Sequence, residues 1–345
     1  MNKNFKIGHR EIGDGQPCFV IAEIGSNHNQ DYDLAIRMID SAIGAGADAV
    51  KFQTFNAKAH VSSKAESPSY LAERNIQKLL ESLELNREWQ AGLQAHTVKR
   101  GGVFFSSPCD REAVDSLEGI NCPAYKVASF DLPDIDFISY VAETGKPLIL
   151  STGLADWMDI QRAVDAAYSV GNKQVALLQC TSLYPAPSHL SNLRAMTTMK
   201  RAFDLLTGYS DHTIGDNVTC ASVAMGACIV EKHFTLDRSL PGPDHNFAME
   251  PGELREMIDR IREIESAMGD GIKNGPRDEE AEMALMVRRS LHAARPIGKG
   301  TSITPEDLCV KRPGLGIPPH FRGHVIGRIA QRAIDADEWI TWEMI

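Results

Sequence analysis

Phe19-Val20-Ile21-Ala22-Glu23-Ile24-Gly25-Ser26-Asn27 is an apolar run that ends on an acid, a glycine and small polar residues. A parallel strand covered by helices on both faces reads as such a near-continuous apolar run. In an open doubly wound sheet, the first strand is expected to lead into a glycine-rich phosphate fingerprint. Glu23-Ile24-Gly25-Ser26-Asn27 is not one, which turns the reading toward a closed barrel. Working outward, seven more runs of the same kind follow: Ala47–Phe52, Gly102–Ser106, Ala124–Ala128, Pro147–Leu150, Val175–Gln179, Leu206–Tyr209 and Cys228–Lys232. Helix-like segments lie between and after them, among them Tyr32–Ala45, Ile135–Thr144, Ile160–Val170 and Gly252–Met268. Eight strand–helix units predict an α/β chain with a (β/α)8 TIM barrel over residues 1–270.

Beyond the barrel the pattern changes. Gly269-Asp270-Gly271 ends a helix, Lys273–Glu280 is polar with Gly275-Pro276 inside it, and residues 271–287 read as a linker. Residues 288–345 show short apolar runs broken by Gly298-Lys299-Gly300, Arg312-Pro313-Gly314 and Ile317-Pro318-Pro319, which predicts a small, mostly β domain. At roughly 60 residues its core is thin, so it is expected to lean on another surface. Within the barrel, the connection from Thr54 to Asn86 is longer than the others and contains the polar stretch Asn56–Tyr70. It follows the second strand, where it is either a lid over the catalytic face or a plain surface insertion.

The 345 residues include 36 Lys plus Arg against 46 Asp plus Glu, a formal charge of −10. An acidic chain without a basic run argues against nucleic acid or an anionic membrane as the main partner. No apolar stretch approaches the ~20 residues that span a bilayer, and the N-terminus lacks the apolar core of a secretory signal. The seven cysteines are scattered without a C-x-x-C pair. This predicts reduced thiols, a cytoplasmic location and no structural zinc.

In a parallel barrel the strand C-termini share one face, and polar residues there aim at a common centre. Every predicted strand ends on such residues: Glu23 with Ser26, Asn27 and His28; Lys51 and Gln53; Ser106 and Ser107; Lys126, Ser129 and Asp131; Ser151 and Thr152; Gln179, Thr181, Ser182 and Tyr184; Ser210, Asp211 and His212; Glu231, Lys232 and His233. Lysines and hydroxyls together neutralise and fix a small anion such as phosphate or carboxylate. Lys51 and Lys126 stand inside apolar runs, where a charge is costly unless it is paired or used. His212 and His233 end adjacent strands and can share a divalent cation, with water and a substrate oxygen in the open positions. The alternative for each is a hydrogen bond to a neighbour. His28 reads equally well as part of a capping turn, and Glu23 and Glu231 as partners of the lysines.

At these residues the chain resembles the sialic acid synthase family, the synthases of neuraminic, legionaminic and pseudaminic acids. The resemblance rests on Ile21-Ala22-Glu23-Ile24-Gly25-Ser26-Asn27-His28, Val50-Lys51-Phe52-Gln53-Thr54, Ala124-Tyr125-Lys126-Val127-Ala128-Ser129, Leu150-Ser151-Thr152-Gly153, Cys180-Thr181-Ser182-Leu183-Tyr184-Pro185, Tyr209-Ser210-Asp211-His212-Thr213 and Glu231-Lys232-His233-Phe234-Thr235. Pro241-Gly242-Pro243-Asp244-His245 follows, and Val310-Lys311-Arg312-Pro313-Gly314 lies in the tail, which resembles the antifreeze-like, or SAF, domain. The resemblance implies a condensation of phosphoenolpyruvate with the open-chain form of an N-acylated mannosamine-type sugar. Water enters, phosphate leaves by C–O cleavage, and a nine-carbon 2-keto sugar acid forms. It implies Mn2+ or Mg2+ on His212 and His233, and Glu23 or the metal as activator of the attacking water. Phosphoenolpyruvate would be held by Lys51, Ser107, Lys126, Ser129, Ser151, Ser182 and Ser210. The sugar would face Gln53, Asp131, Tyr184 and Asp244, with Arg312 reaching across a domain-swapped homodimer to its N-acyl group.

Three positions depart from the commonest neuraminate pattern. Ser182 stands where asparagine is frequent, Ser107 where threonine is, and Phe130-Asp131 replaces Gly-Glu. Ala128-Ser129-Phe130 followed by an acid is similar to the pseudaminate branch, while Pro241-Gly242-Pro243-Asp244-His245 is similar to the neuraminate and legionaminate branches, so the acceptor sugar stays open: N-acetylmannosamine or a 2,4-diacetamido-trideoxy hexose. A barrel that condenses phosphoenolpyruvate with a sugar phosphate is expected to show strand-end arginines for the second phosphate, and this chain shows lysines and serines there. A noncatalytic carbohydrate-binding barrel is opposed by Lys51, Lys126, His212, His233 and Glu23.

Overall fold

The computed structural model describes residues 4–67, 73 and 75–345. They form two compact units, Met1–Gly269 and Asp270–Ile345. In the first, a hairpin of β1 (Asn4–Ile7) and β2 (Arg10–Gly13) precedes eight parallel strands. These are β3 (Phe19–Gly25), β4 (Ala49–Thr54), β5 (Val103–Pro108), β6 (Tyr125–Val127), β7 (Leu148–Ser151), β8 (Val175–Cys180), β9 (Leu206–Asp211) and β10 (Ile229–His233). They pair in chain order, and β10 closes on β3, so the sheet is a closed (β/α)8 barrel. All eight predicted runs are strands, with bounds shifted by a few residues at most.

The burial pattern explains why the barrel closes. β3, β5, β9 and β10 are buried at every position, as strands covered on one face by helices and on the other by the barrel interior must be. The helices bury one stripe each. Tyr32–Gly44 buries Leu34, Ala35, Met38, Ile39 and Ala42, and Asp31 caps it by accepting from the Leu34 N–H at 2.9 Å. Pro251–Met268 buries Leu254, Met257, Ile258 and Ile261. Both show the i, i+3, i+4 spacing of a core-facing stripe.

An ion cluster ties this helix, the hairpin and the sheet together at the N-terminal end of the barrel. Buried Asp48 accepts from the Val20 N–H at 2.8 Å, pairs with Arg262 at 3.2 Å and pairs with Arg10 of β2. Burial lifts the Asp48 carboxyl above its usual range, and the backbone donor and the two guanidiniums pull against that. Chemistry is thereby left to the opposite, C-terminal end.

In the Thr54–Asn86 connection, short helices cover Ala57–His60 and Ile76–Glu81. The expected lid Asn56–Tyr70 lies partly outside the described residues, at 68–70. The second unit pairs β11 (Ser290–Ala293) with β12 (Leu308–Lys311) antiparallel and adds single bridges His292–Trp339, Ile297–Ile334 and Ser302–Ile329. Leu291, Ile297, Ile303, Val325, Ile334 and Ile340 form a core of its own. The stretch read as linker carries a helix at Ala281–Val287.

Candidate active site

Strand alternation sorts the strand-end polar residues into two sets. Glu23, Lys51, Gln53, Ser107, Lys126, Ser151, Ser210, Glu231 and His233 turn into one cleft at the C-terminal end of the barrel, joined from the loops by Ser129, Tyr184 and His212. Their sequence neighbours turn toward the helices. Lys232 is buried against Asp211 Oδ2 at 2.8 Å, and Asp211 also accepts from Thr219 Oγ1 at 2.6 Å and the Thr213 N–H at 2.8 Å. Ser106 donates to the Phe52 carbonyl at 3.0 Å, Gln179 to the Ser191 carbonyl at 3.1 Å and Thr152 to the Leu178 carbonyl at 2.9 Å. These five strand-end residues are framework, not a shared centre. His28 is buried too, and its Nδ1 accepts from the Gln30 N–H at 3.0 Å, the turn-forming role.

The centre of the cleft is a cluster of four charges. Lys51 Nζ lies 2.7 Å from Glu23 Oε2, 3.0 Å from Ser107 Oγ and 3.7 Å from Glu231 Oε1. Lys126 Nζ lies 3.4 Å from the same Glu231 oxygen, to which Ser210 Oγ donates at 3.3 Å. Glu23 Oε1 accepts from Gln53 Nε2 at 2.8 Å. Two carboxylates in one dry site push each other apart in proton affinity. Burial lifts Glu23 above its usual range, Lys51 pulls it back, and Glu231 adds to the rise. Burial acts on Glu231 as well, but Lys126 and Lys51 together hold it below its usual value. The two acids are thus pushed in opposite directions, Glu23 up and Glu231 down.

Several buried polar atoms in and around the cleft have no hydrogen-bond partner among the described residues: Ser151 Oγ, Ser182 Oγ, Glu231 Oε2, Asp131 Oδ2 and His233 Nδ1. Such atoms are costly unless a ligand satisfies them. Ser182 and Ser129 flank Gly153, whose N–H donates to Ser129 Oγ at 3.0 Å. A Cβ on Gly153 would meet Ser182 Oγ at 2.4 Å and Ser129 Oγ at 2.8 Å, so glycine there keeps both hydroxyls available. Gly25 has a related duty. It stands at a register shift between β3 and β4 with φ of 54°, and a Cβ would crowd both Glu23 Oε1 and Gln53 Nε2 at 3.1 Å.

His212 and His233 face each other with ring centroids 5.4 Å apart, beside the Tyr184 ring. His212 donates from Nδ1 to the Thr181 carbonyl at 2.8 Å, so Nε2 carries the lone pair of the neutral ring. Burial works against the charged ring, but Cys180, the Thr181 carbonyl and Glu231 together lift His212 above its usual value. Burial, and then the positive groups around it, hold His233 well below its usual value, so it is neutral. The two rings meet edge to face, and once His212 has given up its proton they fit a divalent cation completed by water and substrate oxygens. Among the described residues, no group of three or more His, Cys, Asp or Glu side chains gathers to enclose one. Asp244 Oδ2 lies 3.6 Å from His233 Nδ1, and burial, followed by the Glu23 charge, lifts it to about 6.

Asp131 lies beside Cys109, and burial raises its carboxyl to about 7. Arg312 belongs to the second unit, directly after β12. The wall of the cleft away from the charges is apolar: Phe55, His60, Leu80 and Phe130. Ring centroids there are 6.2 Å apart for Phe55–His60 and 5.7 Å for His60–Phe130. Sequence reasoning missed Phe55, His60, Cys109 and Cys180 as cleft residues. Cys180, 3.9 Å from His212 Nδ1 at the end of β8, could have been found by the same strand-end rule. Phe55 and His60 carry no such signal, because both lie past the end of β4, Phe55 in the connection and His60 at the end of a one-turn helix too short to show a period.

A closed parallel barrel with its acids, lysines and paired imidazoles at the C-terminal strand ends is the architecture of a TIM-barrel enzyme. Residues 38–273 match the NeuB family, and residues 288–345 match the SAF domain. The chain is 39% identical over 328 residues to the N,N'-diacetyllegionaminic acid synthase of Campylobacter jejuni, a match covering 93% of this chain and 98% of that one. It is 34% identical over 329 residues to the pseudaminic acid synthase of Helicobacter pylori, covering 93% and 96%. The crystal structure of the N-acetylneuraminic acid synthetase of Leptospira borgpetersenii superposes with a TM-score of 0.75 at 33% identity, covering 82% of this chain and 95% of that one. The chain belongs to the NeuB family, and it is an enzyme of that family with a C-terminal SAF domain.

Proposed function

We propose that the protein condenses phosphoenolpyruvate with an N-acylated mannosamine-type sugar and water, giving a nine-carbon 2-keto sugar acid and phosphate. The observation that carries this reading is the convergence of Lys51, Lys126 and the serine hydroxyls beside two open imidazoles. The lysines, with Ser107, Ser129, Ser151, Ser182 and Ser210, hold the phosphate and carboxylate of phosphoenolpyruvate. Ser151 and Ser182 bring hydroxyls that have no other partner among the described residues. The uncharged wall of Phe55, His60, Leu80 and Phe130 suits an acceptor without a second phosphate, whose polar groups meet Gln53, Asp131, Tyr184 and Asp244. His212 and His233 would hold Mn2+ or Mg2+, which supplies polarisation of the acceptor's aldehyde oxygen.

Positioned by the cradle, C3 of phosphoenolpyruvate bonds to the aldehyde carbon with the C2=C3 π pair. The C=O π pair moves onto the aldehyde oxygen, which takes up a proton from water to become a hydroxyl, and C2 is left electron-poor. Water adds at C2 and gives its proton to Glu23. The C2–O bond to phosphate then breaks, the electron pair leaves with phosphate, and the C2 hydroxyl becomes the ketone as it loses its proton. Arg312, by the family resemblance, acts on the N-acyl group from the partner subunit of a homodimer, and the reduced thiols suit the cytoplasm. Relatives that make legionaminic and pseudaminic acids leave N-acetylmannosamine and the 2,4-diacetamido-trideoxy hexoses as candidate acceptors. The test is phosphate release from phosphoenolpyruvate in the presence of Mn2+ or Mg2+ with each acceptor in turn. Release that depends on one of these sugars, with the matching keto acid in the mass spectrum, is expected. No release with any of them overturns the reading.

A further inference from the structure

Glu231 stands apart among the cleft residues because one of its oxygens is shared by three groups of the anion cradle. Lys51 comes from β4, Lys126 from β6 and Ser210 from β9, so no backbone pairing joins the three. Glu231 comes from β10, and its Oε1 lies 3.7 Å, 3.4 Å and 3.3 Å from Lys51 Nζ, Lys126 Nζ and Ser210 Oγ respectively. Two buried ammonium groups that converge on one cavity repel strongly in a low dielectric. A carboxylate oxygen between them turns that repulsion into a shared attraction and fixes their spacing before any ligand arrives. Glu23 does not substitute, because its oxygens are taken by Lys51 and Gln53.

We propose that Glu231 is the positioning residue of the anion site, holding Lys51, Lys126 and Ser210 in the arrangement that grips phosphoenolpyruvate. The inference rests on the function proposed above, and it goes further by separating the two acids: Glu23 does chemistry, and Glu231 sets the spacing of the cradle. The position is fixed twice over. Strand alternation aims Glu231 and His233 inward while Lys232 between them is buried against Asp211, and Ser210 is the register partner of Glu231 across β9 and β10.

The experiment uses the full-length enzyme as wild type, Glu231→Gln and Glu231→Asp. Titration calorimetry with phosphoenolpyruvate, and separately with inorganic phosphate, reads the cradle without the sugar. Initial rates then give the KM of each substrate, and circular dichroism reports the fold. The amide keeps an acceptor for Ser210 but removes the charge, so phosphoenolpyruvate affinity should fall roughly ten- to a hundredfold, the range expected when one charge-assisted partner is lost. The KM for the sugar should stay nearly unchanged. Glu231→Asp keeps the charge on a shorter arm and should recover part of the loss, and this variant decides the matter if the glutamine form does not fold. Unchanged phosphoenolpyruvate affinity in a folded variant overturns the proposal. So does tighter binding, which would mean that Glu231 merely competes with the substrate anion. A wild-type enzyme that releases no phosphate with any acceptor counts against the proposed function instead, and the two failures are read from different proteins.

Discussion

Two residues of the site differ from their neighbours in what they do when removed. His212 and His233 place open imidazole nitrogens on one side of the cleft, so His212→Ala or His233→Ala should lower metal-supported turnover on the order of a hundredfold or more while the fold persists. Rates within a few-fold of wild type at saturating Mn2+ in both variants would remove the two-histidine site. Asp131 makes a different prediction, about stability. Its carboxyl is raised by burial to about 7 from an ordinary value of 3.8. The folded chain therefore holds the Asp131 proton longer than the unfolded chain does. The group's penalty is absent below the unfolded value, grows as pH rises, and is complete above pH 7. Asp131→Asn removes a charge that burial disfavours, so its advantage over wild type in urea unfolding should grow by up to about 1.4 kcal/mol per pH unit between pH 5 and 7 and level off above. An advantage independent of pH would show that the carboxyl is ionised throughout in the folded chain.

The elements show which parts of this protein a linear reading reaches and which it does not. Strand runs such as Phe19–Ile24 are legible because two-sided burial writes itself as uninterrupted apolarity. Lys51, Glu23 and His233 are legible because a charge at the end of such a run must be used or paired. Lys232 shows the limit: it ends a strand just as Lys126 does, yet strand alternation sends it to Asp211, and only the register tells the two apart. The apolar wall was legible only at Phe130, a departure from the family pattern; nothing in the sequence sets it beside Phe55 and His60, which come from another connection that only the closed barrel brings near. That wall belongs to the scale of loops, and so does its prediction. Phe130 is 56% exposed, an aromatic ring held at the mouth of the cleft. It should favour an acceptor with a methyl in place of a hydroxymethyl. Phe130→Gly should therefore reduce the ratio of kcat/KM for a 2,4-diacetamido-trideoxy hexose over that for N-acetylmannosamine by roughly tenfold, the value of a methyl-sized contact. Initial rates with both sugars measure it, and an unchanged ratio means the ring does not read the acceptor.

At the scale of the molecule, the small second unit has its own core but few residues in it, which is consistent with a proposed role in trans for Arg312. Mixing inactive Arg312→Ala and His212→Ala proteins should then restore activity, because one site of each mixed dimer regains both an intact histidine and an intact partner arginine. With free subunit exchange about a quarter of all sites should recover. Verified mixed dimers without activity would assign Arg312 to its own barrel. The four charges at the centre of the cleft have one more consequence, and it concerns arrival rather than grip. Lys51 and Lys126 are paired in place with Glu23 and Glu231, so these four charges sum to zero, while the chain as a whole carries a formal charge of −10. A trianionic ligand approaching from solution meets repulsion until it is within reach of the lysines themselves. Added salt shortens the range of that repulsion. In stopped-flow measurements the association rate of phosphoenolpyruvate should therefore rise with ionic strength, the reverse of an electrostatically steered enzyme, and a falling rate would reveal a local attraction that outweighs the charge of the whole.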